Sequence, residues 1–467
     1  MNRLLLCSII IVFSSSFAQE NYNSNNLLVS SEELISSTFN SDPTANALYI
    51  YESGFSRFEN GGEFNLLTDY AAKIKVLNPD GYKHANIEIS LQKNKSSKEK
   101  LRKLEATTHY MENGIKKVQK LDPTLVYTEE NENYDLVKFT FPAVAPGAIL
   151  VYSYQKESPF IFNFNSWWFQ AEIPKLYSAY ETSIPGNYDY NIKKVGELEL
   201  DVHSNFIKRS CFQPPGAASA ADCVMANYAM RNIPAFIEEP YLTSRYNYIS
   251  RIEYELLDIT NLDGTVKKFT KSWKDVDKEL KDDKNIGRQL GRKSLVKGLL
   301  PENLQNKKND LGKAREIFDH VRANYTWNGE YDIYKDMNLK DVIEDKTGSI
   351  SALNILLHNI YEEQGFDVMP VMSSTRSNGT PNKLYPILSE FNYLMIQLDA
   401  GGQKYLLDVT DKYVNFGDVP FRGLNHYARL LDFKNGSSWI DIEPNKLSGV
   451  ILIDTIKVNA DGSSRGS

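Results

Sequence analysis

The sequence predicts a multi-domain, β-rich chain, with a mostly antiparallel β-sandwich-like domain over residues 46–268 followed by an α+β domain over 269–440. Three observations predict it. The 467 residues are about three domain-lengths at roughly 150 residues each. From 46 to about 265, short strand patterns recur between Pro/Gly turns with almost no helical periodicity. Past Ser272 the apolar residues recur at spacings of three and four instead. With 42% hydrophobic and 24% charged residues the composition is that of an ordinary globular protein. The 53 Lys and Arg against 60 Asp and Glu leave a net charge of -7, which argues against a phosphate-backbone partner such as nucleic acid. Twenty-eight Tyr and 22 Phe suit half-buried strands and extended recognition surfaces.

The first segment concerns address. Asn2 and Arg3 are followed by an apolar stretch from Leu4 to Phe13 and by Ser16-Phe17-Ala18, a small-x-small cleavage site. Residues 1–18 therefore read as a signal peptide, its apolar run being shorter than the roughly 20 residues a membrane span needs. Cys7 lies in that run and leaves with it. Residues 19–45 are rich in Asn and Ser and read as a flexible leader.

Strand patterns then follow, as in Ala71 to Leu77 before the turn Asn78-Pro79-Asp80-Gly81, and Ala148 to Tyr154 after Pro146-Gly147. Phe160, Phe162 and Phe164 alternate as on one strand face packed into a core, whereas the adjacent Trp167 and Trp168 point apart and hint at exposure. The aromatic run also reads as a binding platform for a peptide or a sugar. Cys211 and Cys223 are the two cysteines left after the signal. In an oxidising compartment they suggest a disulfide, the alternative being two buried thiols.

Ser272 to Asp275 has capping-box spacing and opens the second domain. Asp310 caps a helix with Leu311, Ala314, Phe318, Val321 and Tyr325 on one face. Another helix follows Gly348-Ser349-Ile350, with Leu353, Leu356, Leu357 and Ile360 on one side and Gly365 as its stop. Strands are expected at Val368 to Ser373, Phe391 to Leu398 and Lys404 to Val409. Val450 to Val458 reads as a strand leading into a turn at Asn459 to Gly462, with its returning strand missing. Residues 441–467 are therefore read as the start of a truncated C-terminal β domain.

The helix start at Gly348 and the hairpin after Phe391 resemble the transglutaminase-like (papain-like cysteine) core. In that family a Gly-x-Cys opens a buried helix, a His stands on a following strand, and an Asp on the next strand orients it. The resemblance places Ile350 where the nucleophilic Cys would be, Tyr393 where the His would be and Asp408 where the Asp would be. Two of the three catalytic groups are thus replaced. A two-residue loop at Ala400-Gly401 sets Tyr393 opposite Asp408, and a loop one pair further along sets it opposite Thr410. Upstream, Asn78 to Gly81, Phe141-Pro142, Ile173-Pro174 and Ile233 to Phe236 resemble the domain of unknown function that precedes such cores in secreted proteins of Bacteroidetes-type bacteria.

The remaining residues offer little other chemistry. Ser349 and Ser351 flank the nucleophile position, but Tyr393, with an ordinary pKa near 10, is a poor base for a hydroxyl. His358 stands about two helical turns beyond Ile350 and reads as a surface or packed residue. His320 and His426 fit no triad spacing. No His/Cys/Asp set has zinc spacing and no loop has the Ca²⁺ pattern, so neither metal nor cofactor is expected. The expectation is an exported, periplasmic or cell-surface pseudoenzyme whose old cleft is a scaffold or binds an envelope peptide or protein. The rivals are an active amidase or acyl transferase with atypical residues, and a purely structural envelope module.

Overall fold

The computed structural model describes residues 22–466 apart from 37, 61–63, 163, 214–216, 218, 262, 270, 332, 335–336, 385, 445–448 and 450–452. The signal segment, Cys7 and the Pro214-Pro215-Gly216 turn lie outside the described residues. Among the described residues strands account for 40% and helices for 19%, a β-rich balance. Two compact units divide at Phe269/Thr270, with Tyr241–Asn247 belonging to the second.

The first unit is built on an eight-stranded sheet. Its strands run in the order Val202–Phe212, Ala221–Ile233, Lys175–Pro185, Ala47–Phe58, Leu66–Val76, Ile149–Ser158, Lys100–Glu112 and Ile115–Lys120. Every neighbouring pair is antiparallel except Ala47–Phe58 with Lys175–Pro185, which is parallel. Two smaller sheets complete the unit. One joins Tyr188–Val195, Arg251–Thr260, Val266–Lys268 and Trp167–Trp168, and the other joins Asn86–Gln92, Tyr134–Thr140 and Tyr127–Glu130. An aromatic core holds Phe58, Phe164, Tyr180, Tyr190 and Tyr254, and a second core holds Ile74, Leu150, Val137 and Phe139. Cys211 and Cys223 are joined in a disulfide with their Cα atoms 5.8 Å apart.

Two expectations for this unit are corrected. Phe160 to Phe164 does not form a strand, because Pro159 has no N–H for the ladder and ends the Ile149–Ser158 strand. Phe164 is buried, Phe162 is 51% exposed, and of the tryptophans Trp167 is buried while Trp168 is exposed. The leader, expected to be flexible, is ordered from Tyr22, with a short helix at Ser31–Ile35 closed by a Ser30/Glu33 capping box. The cause is Lys73 and Lys75, whose strand alternation turns both toward the same covered face of the sheet. Lys73 Nζ donates to Glu33 Oε1 at 2.6 Å and to the Leu28 carbonyl at 2.6 Å, and Lys75 Nζ to the Glu33 and Gly147 carbonyls at 2.6 Å each. Val29, Leu34 and Phe39 pack against Leu48, Ile50 and Ile149 on that face.

The second unit has a five-stranded antiparallel sheet in the order Gln403–Leu407, Tyr393–Ala400, Asp367–Ser373, Tyr427–Leu430 and Ser438–Asp441. The helix Ile350–Glu363 packs on it, and every residue from Ile350 to Tyr361 is buried. Such a helix must satisfy its polar side chains internally. Asn359 Nδ2 donates to the Gln289 carbonyl at 2.8 Å and Tyr361 Oη to the Ala314 carbonyl at 2.7 Å. The helix Leu311–Asn324, capped by Asp310, buries Ala314, Ile317, Phe318 and Val321 against it. Near the end of the chain the expected missing strand is present, since Ser464–Gly466 returns from the turn and pairs with Ile456–Val458.

Candidate functional site

The site forms where the N-terminus of the Ile350–Glu363 helix meets the start of the Tyr393–Ala400 strand. Thr347–Gly348 pairs in parallel with Thr326–Trp327, which fixes the approach to the helix. Gly348 packs tightly there, a Cβ at that position coming within 3.1 to 3.4 Å of Ala352 and Val342 side-chain carbons. Ser349 is the N-cap, its Oγ accepting from Ala352 N at 3.3 Å and lying 3.0 Å from Ser351 Oγ. Ile350, the first helical residue, is fully buried among Val371, Tyr393, Met395 and Ala428.

The hairpin register is corrected. Ala400 pairs with Gln403 and Ile396 with Leu407, so the loop is Gly401-Gly402, both at positive φ, rather than Ala400-Gly401. Two consecutive glycines take the left-handed conformations that a two-residue hairpin loop demands, and the turn follows them. Leu407 ends the ladder, and Asp408 lies past it. Asp408 is nevertheless in contact with Tyr393, whose Oη donates to Asp408 Oδ2. A side chain as long as Tyr bridges the offset that a two-residue shift in register creates.

Asp408 has no exposed surface, and its acceptor positions are well used. Thr410 N and Thr410 Oγ1 donate to Oδ1 at 2.9 and 2.6 Å, and Asn354 Nδ2 donates to it at 3.1 Å. Arg422 closes the other side. Its Nε donates to Tyr393 Oη at 3.1 Å, while its terminal nitrogens reach Thr410 Oγ1 at 2.6 Å, Asp411 at 3.3 Å and Asp408 at 3.5 Å. Its guanidinium also lies over the Trp327 ring at 4.7 Å. Burial and the Asp408 charge push the Tyr393 phenol well above its ordinary range, with Arg422 acting in the opposite direction. Tyr393 is therefore a neutral hydroxyl at physiological pH, able to donate a hydrogen bond and unable to accept a proton as a general base.

Ile350, Tyr393 and Asp408 are thus brought together in one cluster, whereas His358 is buried beside Asn359, with Nδ1 3.2 Å from Asn359 Oδ1 and its imidazole pulled below the ordinary value by burial. Asn354 and Arg422 were not anticipated. Asn354, a polar residue in an otherwise apolar run one turn after Ile350, carried a readable signal. Arg422 carried none, because the loop between Leu407 and Tyr427 has no periodicity that would place it. Among the described residues no three His, Cys, Asp or Glu side chains group as a metal site requires, and no helix is long and apolar enough to cross a membrane.

No family model and no curated protein matches the sequence. Among solved structures the chain is similar to a "putative cysteine protease" from Cytophaga hutchinsonii, at 12% identity over 57% of this chain and 84% of that one, with a TM-score of 0.23. It is also similar to a "putative protease" from Parabacteroides distasonis, at 11% identity and a TM-score of 0.51, over 86% of this chain and 72% of that one. At its TM-score and identity the second similarity is one of fold alone.

Proposed function

We propose that the second unit is a transglutaminase-like core whose cleft serves without catalysis, as a scaffold or a groove for a peptide or protein of the cell envelope, in a chain that is exported. The observation that carries this reading is Ile350, a fully buried aliphatic residue at the helix N-terminus where a nucleophile would gain from the helix dipole. Tyr393 supports it, because a phenol donating to Asp408 and held protonated by burial takes the place of an imidazole base.

The rival reading, an amidase using Ser349 or Ser351, is less well supported. Ser349 Oγ is engaged in capping the helix, and among the described residues neither hydroxyl is hydrogen-bonded to an imidazole or a carboxylate. The test is a set of variants assayed for ammonia release from glutamine amides and for acylation. The parent is expected to be silent in both. I350C gains a thiol that alkylates but does not turn over, and I350C/Y393H gains acylation that is lost again when D408N is added. Robust amide hydrolysis by the parent, abolished in S349A or S351A, overturns the proposal.

A further inference from the structure

Trp167 and Trp168, the two tryptophans of the aromatic run singled out in the sequence, line a cavity of about 360 Å³ in the first unit, remote in sequence from the Ile350 cluster. Its walls are the rings of Tyr49, Tyr70, Tyr154, Trp167 and Trp168. Three of them are in ring contact. Tyr70 stacks on Tyr154 with centroids 5.0 Å apart and lies 5.8 Å from Trp167, which in turn stacks on Tyr180 at 5.0 Å. Gly54 makes this possible, since a Cβ there would fall 2.2 Å from the Trp167 ring. Trp168 is held by Arg251, whose guanidinium lies 4.7 Å from its ring centroid, and remains 36% exposed.

The floor is polar and fixed in place. Glu52 and Lys175 are both more than nine-tenths buried and joined at 2.6 Å. Glu52 Oε2 also accepts from Ser178 Oγ at 2.6 Å and its Oε1 from Tyr70 Oη at 2.9 Å, while Lys175 Nζ donates to the Trp168 carbonyl at 2.9 Å. Asn165 and Lys156 stand at the same cavity, and Lys156 is paired with Glu99 at 3.4 Å. Each ammonium here has its own carboxylate, so the site carries no surplus charge to reward an ionic ligand. A wholly apolar ligand makes no use of the polar groups that line the same cavity.

We infer that this cavity is a binding site for a neutral saccharide. A pyranose presents an apolar C–H face that fits flat on an aromatic ring, and a rim of hydroxyls that both donate and accept, suited to the polar lining of Glu52, Lys175 and Asn165, the last held by the hydrogen bond that its Nδ2 donates to Thr68 Oγ1. An extended peptide would instead seek a free strand edge. The site is preorganised, since the ion pair and stacked rings hold their geometry through contacts within the unit, so little ordering cost opposes binding. The inference is independent of what the Ile350 cluster does.

The test uses the full chain, with cellobiose, maltose and N,N′-diacetylchitobiose as probes, and galacturonic acid and tetra-alanine as comparators. Binding is read by saturation-transfer NMR and by tryptophan fluorescence. At least one of the three neutral disaccharides is expected to bind with a Kd of about 1 mM or tighter. W168A and N165A are each expected to weaken it about tenfold while melting with the parent. W168A alters a partly exposed ring, and should it fail to fold, N165A alone decides. Absence of binding by all three disaccharides, equal binding by the folded variants, or tighter binding of either comparator overturns the inference.

Discussion

The Asp408 carboxylate accepts hydrogen bonds from Tyr393, Asn354 and Thr410 and faces Arg422, all without exposed surface of its own. Such an arrangement is asymmetric in its response to substitution. Removing the charge leaves the half-buried Arg422 short of a partner, whereas removing one hydroxyl leaves the ion pair standing. D408N is therefore expected to lower stability by about 3 kcal/mol, and Y393F by about 1 kcal/mol. Urea midpoints at constant m-value check the order, and a Y393F loss equal to or larger than that of D408N contradicts it. Position 408 was legible in the sequence only through the resemblance of Leu406 to Thr410 to the Asp-bearing strand of transglutaminase-like cores. The partners that hold it were less so, since Arg422 reaches it from a loop and Tyr393 through the length of its side chain rather than through direct pairing.

At the scale of elements, the Asn/Ser-rich leader reads as flexible because its own composition offers no core. That reading failed because of Lys73 and Lys75 on the strand Leu66–Val76. The leader covers the lysines, and the lysines give the leader its acceptors and partners. This kind of mutual dependence between segments about 40 residues apart has no local signature. Burial lowers the Lys75 ammonium to about 7, with the Glu33 charge partly opposing the shift. A base whose folded pKa is depressed binds fewer protons folded than unfolded between that value and its ordinary one, so its cost to stability is full below about pH 7 and fades as pH rises toward about 10.5. The stability of the parent relative to K75M is accordingly expected to rise between pH 7 and pH 10, measured as the difference in urea midpoints. A difference that stays flat or falls over that range refutes the lysine's role. The 401–402 turn teaches a related lesson: of two neighbouring loop positions, the one with glycine at both residues sets the register, and the pairing of everything downstream moves by two.

For the whole molecule, the contacts divide the chain at Phe269/Thr270. The assignment of Tyr241–Asn247 to the second unit, and the single parallel pairing between Ala47–Phe58 and Lys175–Pro185, are not readable, because both arise from contacts between distant segments. Export is expected with cleavage after Ala18 and with Cys211 linked to Cys223, the closed loop contributing on the order of 3 kcal/mol. Intact-mass and non-reducing peptide mapping of protein from its native host check both. Recovery from the cytosol with residues 1–18 attached, or free thiols at both positions in protein purified without reductant, counts against them. The disulfide also bears on how the protein must be handled. It fastens the outermost strand, Val202–Phe212, to its neighbour at the point where their register slips between Lys208 and Phe212. Phe206 and Ile207 stand exposed along that strand. Reduction loosens the end of an edge strand that carries Val202, Phe206 and Ile207 exposed among polar residues, and an unpaired edge recruits strands from other molecules; a recombinant preparation from a reducing host begins its life with that edge unfastened, and its first failure is precipitation rather than loss of any activity.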